Sequence, residues 1–184
     1  MKAVLIAMVI ILLPATLYAE RTMGVFFTFQ PNQMHYYPTM FEDFKAYIYA
    51  HNVNCELIHV EYRVVLPPGI LLSDFELPEE AWGIIGDPLS GIKMHFNPAL
   101  HGYSPGYNLL CTMTLHAEQW CLDYGGTLRD ALVQVVAHPD WETIWGDCYP
   151  GMNSWDYVGL TSVLCPCEIR AETKAWGAIK ALYR

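Results

Sequence analysis

The chain reads as an all-β protein, an antiparallel β-sandwich. Three observations carry this. Between Phe44 and Leu66 two runs alternate strictly, Phe44, Ala46, Ile48 and Ala50 against Lys45, Tyr47, Tyr49 and His51, then Ile58, Val60, Tyr62, Val64 and Leu66 against His59, Glu61 and Arg63. A period of two puts one face of each strand in a core and one in water. The same alternation returns at Ile92, Met94 and Phe96 and again from Leu109 to Ala117. Short apolar runs are parted by Gly and Pro turns throughout, and helical patterns are scarce.

Taken in order, Lys2 and the uncharged run from Ala3 to Leu13 form a targeting pattern, too short to span a bilayer. The expectation is a signal peptide over residues 1–19, cleaved after Ala19, and export to the periplasm, cell surface or medium. No second long apolar run stands in the chain, so no transmembrane segment is expected after its removal. Residues 20–167 form the expected sandwich domain. Residues 168–184 form a tail in which Thr173 caps a short helix with Trp176, Ile179, Lys180 and Tyr183 on one side.

Within the domain, Met23 to Phe29 is a first strand and Gln30 to Pro38 a polar loop. The runs at Phe44–Ala50 and Ile58–Leu66 read as an antiparallel pair, ended by Pro67-Pro68-Gly69. Ile70 to Leu77 and Trp82 to Ile85 are extended, Gly86-Asp87-Pro88 turns, and Asn97 to Gly106 is a loop. Val133, Val135 and Val136 make Thr127 to Ala137 a strand, because β-branched residues fit a pleated surface. From Trp141 to Pro166 the pattern is lost among Gly, Pro, Asn, Asp and Trp. A loop-rich C-terminal layer with one strand near Tyr157 to Val163 is the reading there.

The net charge is −9, with 10 basic against 19 acidic side chains. Such a chain repels phosphate backbones, which excludes nucleic acid as a natural partner. Six cysteines in an exported chain imply disulfides. Cys121 with Cys148 is the favoured pair, stapling the segment between them.

The order Met23-Gly-Val-Phe-Phe, Phe44-Lys-Ala-Tyr-Ile-Tyr, Val60-Glu-Tyr-Arg-Val-Val-Leu-Pro-Pro-Gly69 and Gly86-Asp-Pro-Leu-Ser-Gly91 resembles a loose group of uncharacterised secreted bacterial proteins. Val158-Gly-Leu-Thr-Ser162 and Trp176-Gly-Ala-Ile-Lys-Ala-Leu-Tyr-Arg184 resemble the end of the same group. That resemblance implies a cohesin-like or immunoglobulin-like sandwich and export. It implies no catalytic residue.

Two surfaces are candidates for a ligand. One is aromatic and loop-borne: Trp120, Tyr124, Trp141, Trp145, Tyr149 and Trp155, beside several acids, suit sugar faces or a protein interface. The other is the polar strand face with Tyr47 and Tyr49. His51, His59, His95 and His116 are weak candidates for a metal, since imidazole suits zinc or copper but a site needs three or four converging ligands. No cofactor motif is present and none is expected. The sequence therefore points to a non-enzymatic binding or cell-surface interaction module for an unknown protein or carbohydrate. A glycan-acting hydrolase using loop carboxylates is the alternative, and metal capture a second one; the hydrolase needs two carboxyls facing each other across a cleft.

Overall fold

The computed structural model describes residues 21–51, 56–100, 106–119, 130–149 and 153–165, with only the backbone of 153–155. Strands β1 (Thr22–Phe26), β2 (His35–Tyr36), β3 (Asp43–His51), β4 (Glu56–Val65), β5 (Ile70–Glu76) and β6 (Ala81–Asp87) are followed by β7 (Gly91–Leu100), β8 (Tyr107–Ala117), β9 (Ala131–Val136), β10 (Ile144–Tyr149), β11 (Asn153–Gly159) and β12 (Thr161–Leu164). One layer runs β5-β8-β3-β1. Facing it is β6-β7-β4-β10-β11, and the far end of β4 continues into β9-β12-β2. β11 closes the two layers by lying parallel to β1, with Thr22 opposite Val158 and Met23 opposite Gly159.

The core forms between the layers. Phe44, Ala46, Ile48 and Ala50 from β3 meet Val60, Tyr62 and Val64 from β4, with Ile92, Met94 and Phe96 from β7 and Cys111, Met113, Leu115 and Ala117 from β8. Each is the inward half of an alternating run, and burying one large aliphatic or aromatic side chain contributes about 1.5–3 kcal/mol. At the Gly86 turn, Asp87 ties the bend by accepting hydrogen bonds from the backbone N–H groups of Leu89 and Ser90 and from the Ser90 hydroxyl.

Several expectations are corrected. β3 and β4 are not a pair: β3 lies between β1 and β8, whereas β4 lies between β7 and β10. Alternation says which face is buried but not which strand is the neighbour. Leu57 rather than Ile58 enters the core, because register shifts on both sides of β4 place a bulge there. Leu110 likewise replaces Leu109, at a bulge opposite Ile48 and Tyr49. β7 extends to Leu100, into the expected loop, through a cis Asn97–Pro98 bond.

The expected C-terminal loop layer contains three strands, β10, β11 and β12. Its inward positions include Gly146, where a Cβ would stand 2.8 Å from Tyr157; at Gly159, on the exposed side, a Cβ would stand 2.1 Å from the Val135 carbonyl oxygen. Glycine at the inward site of β10 hides that strand from a search for apolar alternation, whereas the expected strand near Tyr157 to Val163 falls on the end of β11 and on β12. Cys111 is a correction too, a free thiol buried on β8 rather than half of a disulfide. Cys148 is buried on β10, and its expected partner Cys121 lies outside the described residues, as do the stretches expected to form a signal peptide and a tail helix.

Candidate functional site

The outer face of the β6-β7-β4-β10 layer gathers most of the chemistry. His59 and Glu61 alternate outward on β4 and were expected in water, yet their exposures are only 6% and 5%. Register explains the cover: Trp145 is paired with Glu61 and Asp147 with His59 across β10, while His95 and Lys93 stand opposite them on β7. The loop after β9 adds Asp140 and Trp141 from the other side, turned back by the Trp141 N–H donating to the His138 carbonyl.

A hydrogen-bonded chain runs under this cover. His59 Nε2 donates to Glu61 Oε1 at 3.0 Å, and its Nδ1 lies 3.1 Å from Nδ1 of His95. Glu61 Oε2 accepts from the Trp141 indole at 2.5 Å and from Lys93 at 3.1 Å. Lys93 also reaches Asp140 at 2.8 Å. Burial pushes the Glu61 carboxyl up, but the bonds from Trp141, His59 and Lys93 outweigh it and hold the pKa below its ordinary value. Lys93 likewise holds Asp140 low, and Asp140 and Glu61 hold Lys93 high. His95 is pushed down by desolvation and by its neighbour His59, against the opposite pull of Glu61 and Asp147.

Rings lie over this network in a continuous band. Trp82 packs on His95 at 5.4 Å, His95 on His59 at 4.2 Å, His59 on Trp145 at 5.1 Å and Trp145 on Trp141 at 5.8 Å. Lys93 lies 5.9 Å from the Trp141 ring centre. Trp82, Trp141 and Tyr149 keep 56%, 50% and 54% of their surface exposed. The result is an aromatic platform with wet ring surfaces above a polar base in which His59, Glu61 and Lys93 are all partnered.

The structure thus joins residues that the sequence divided between two surfaces. Trp141, Trp145 and Tyr149 share one face with His59, His95 and Glu61. Trp155 stands on β11 opposite Gly146, and Trp120 and Tyr124 lie outside the described residues. Tyr47 and Tyr49 are on the other layer. Tyr49 is no ligand platform, since it is 3% exposed, bonded to the Phe29 carbonyl and packed edge-on against Phe26 and Tyr107. Tyr47 is half-buried beside Phe29.

The four histidines are not brought together. His51 packs on Tyr107 at one end of β3, and His116 bonds Asp43 at the other, both on the layer opposite His59 and His95. Among the described residues no group of three or more His, Cys, Asp or Glu is arranged to hold a metal ion. Trp82 and Lys93 were not singled out as site residues, and Asp140 was weighed only as one of the loop carboxylates. For Lys93 the signal was the outward alternation of β7, which needed the β6 and β4 registers to become a site.

No protein family and no curated protein matches the chain. The chain is similar to solved cohesin modules. A non-cellulosomal cohesin from Archaeoglobus fulgidus shares 10% identity at a TM-score of 0.49, over 87% of this chain and 98% of that one. The cohesin module of a family 33 glycoside hydrolase from Clostridium perfringens shares 9% at 0.47, over 80% and 98%. A third cohesin from Acetivibrio cellulolyticus, solved in complex with a dockerin, shares 10% at 0.43, over 78% and 99%.

Proposed function

We propose that the chain is an exported, non-enzymatic binding module whose ligand is a protein, docked on the Trp82–Trp141–Tyr149 face. The observation that supports it most is the platform itself. Trp82 and Trp141, half open to solvent, are tied to His95 and Glu61 of a base in which His59 and Glu61 are buried and partnered, and Tyr149 is exposed on the same strand face. Rigid aromatic anchors cost little side-chain entropy on binding, which is why they dominate interfaces. The signal-like residues 1–19 support export, and a Cys121–Cys148 staple would suit that compartment.

Hydrolysis is less well supported. Glu61 and Asp140 do converge beside Trp141, but Lys93 bridges them and both are held ionised. A glycosidase pair needs one carboxyl with a raised pKa to protonate the leaving oxygen.

Parallel protein and glycan arrays probed with residues 20–184, oxidised, test the reading against a Trp82→Ala, Tyr149→Ala double variant. Protein hits lost by at least about tenfold in the variant support it. Hits confined to glycans, or hits the variant keeps, overturn it. Peptide mapping of the same sample reports the cysteine pairing, and the N-terminal sequence of the exported product reports the cleavage site.

A further inference from the structure

On the reading that the Trp82–Trp141–Tyr149 face is a docking surface, we infer that the partner enters along β6, adding an extended segment with an apolar centre and basic ends as a further strand. β6 pairs with β7 on one side and with no other strand among the described residues. Its five residues Trp82 to Gly86 are all exposed, and no charged residue stands between Glu80 and Asp87. Free edges usually carry charges, prolines or extreme shortness, which prevent unwanted pairing. The other edges obey that rule: β5 carries Asp74 and Glu76, and β2 has two residues. β6 departs from it with Trp82, Ile84 and Ile85, exposed by 56%, 45% and 66%.

β6 has one irregularity, a bulge between Trp82 and Ile85 with Gly83 at a φ of 59°. Two residues, Gly83 and Ile84, oppose Met94 alone. Trp82 and Ile85, at the His95 and Lys93 registers, therefore both belong to the outer face. The bulge thus carries the apolar face of the edge strand onto the aromatic platform, so an added strand would cover both.

Charge selects the occupant. Glu79 and Glu80 precede β6 and Asp87 ends it, in a chain of net charge −9. A second copy set antiparallel along β6 would bring Glu79 and Glu80 of each copy against Asp87 of the other, and like charges placed opposite one another are destabilising. A segment with Lys or Arg at its two ends relieves both repulsions while its apolar centre lies beside Ile84 and Ile85. Backbone pairing then supplies affinity, and the flanking charges supply choice of partner.

Panning a phage-displayed library of random twelve-residue peptides on residues 20–184, oxidised, tests this. The expected result is enrichment of alternating apolar centres flanked by Lys or Arg. The strongest peptide should slow amide exchange at Gly83–Gly86. Its binding should fall at least about tenfold in Ile84→Lys, a substitution that guards the edge and whose unfolding midpoint is checked against the parent. In Glu79→Lys, Glu80→Lys the basic preference at that end should disappear. Enrichment of acidic or uncharged flanks, no binder at all, no protection of β6, or full binding to Ile84→Lys would each overturn it. So would a dimer in sedimentation that Ile84→Lys abolishes, since the occupant would then be a second copy. Binders lost in Trp141→Ala, Tyr149→Ala but kept in Ile84→Lys would remove strand addition and leave the docking face standing; binders indifferent to both remove the face as well.

Discussion

Nδ1 of His59 lies 3.1 Å from Nδ1 of His95, so the two imidazoles share one proton position. His59 Nε2 is committed as a donor to Glu61. At the shared contact one nitrogen donates and the other accepts, and protonating both rings would set two N–H groups head to head. This is why His95, pushed down by desolvation and by His59, takes its proton late.

A pH dependence of stability follows. The folded pKa of His95 lies below its ordinary value of 6.5, so between the two the unfolded chain binds more protons than the folded one. The contribution is complete above 6.5 and is lost as the pH falls from there through the folded value. In urea unfolding between about pH 7.5 and 5.5, the parent should lose stability on acidification, and His95→Gln should show a shallower decline. Equal slopes in the two proteins would show that the pair is not coupled as drawn.

Glu61 governs the next step down. Its folded pKa is below the ordinary 4.5, so its contribution is present above 4.5 and is lost as the pH falls through the folded value. Trp141→Phe keeps the ring but removes a hydrogen bond to this charge. The expected cost is about 1–3 kcal/mol at neutral pH, measured from the urea midpoint. The same variant should begin acid unfolding at a higher pH, because the carboxylate has lost one of the donors that hold it ionised. A neutral midpoint and an unchanged acid limb would place the indole bond outside the energetics of the face.

How far the fold could be read in advance depended on what each residue pattern encodes. Inward faces at Phe44–Ala50, Ile92–Phe96 and Cys111–Ala117 were legible, because alternation of apolar and polar side chains is a local property. Partners were not: nothing in the two runs between Phe44 and Leu66 says that they belong to opposite layers. The bulges at Ile58 and Leu110 were also invisible, since an extra residue leaves composition untouched. At the site, Trp141, Trp145 and Tyr149 could be singled out by type. Their union with His59 and Glu61 could not, because it arises from β10 pairing with β4, and β10 alternates with Gly146 inward.

Gly159 tests the apposition of β11 and β9, which the sequence did not show. β11 passes so close to β9 there that an added Cβ would lie 2.1 Å from the Val135 carbonyl oxygen and 3.1 Å from Ile144. The obstructing atom is backbone, which cannot swing aside as a side-chain tip can. Gly159→Ala should therefore cost about 1–3 kcal/mol by forcing the two strands apart. Thermal unfolding of the variant checks this, and an unchanged midpoint would mean that β9 and β11 are not apposed.

Cys111 gives the sharpest chemical contrast in the core. It is wholly buried on β8, and desolvation pushes its thiol up to about 12, against the opposing hydrogen bond from Tyr62. Reaction with alkylating agents needs thiolate and access, and the folded chain offers neither at this position. Iodoacetamide at about pH 8 should leave Cys111 unmodified in the native protein and label it in urea, as read by peptide mass. Tyr62 is the companion test. Its hydroxyl is fully buried, its pKa is raised well above the ordinary 10.0, and it has no nitrogen or oxygen partner, only the Cys111 sulfur. A thiol sulfur is a weak acceptor that barely offsets the cost of burying a hydroxyl, so Tyr62→Phe should be neutral or slightly stabilising, within about 1 kcal/mol, and should leave the Cys111 protection intact. Rapid native labelling of Cys111, or a large loss of stability in Tyr62→Phe, would show that the core between β4 and β8 is wetter than its packing implies.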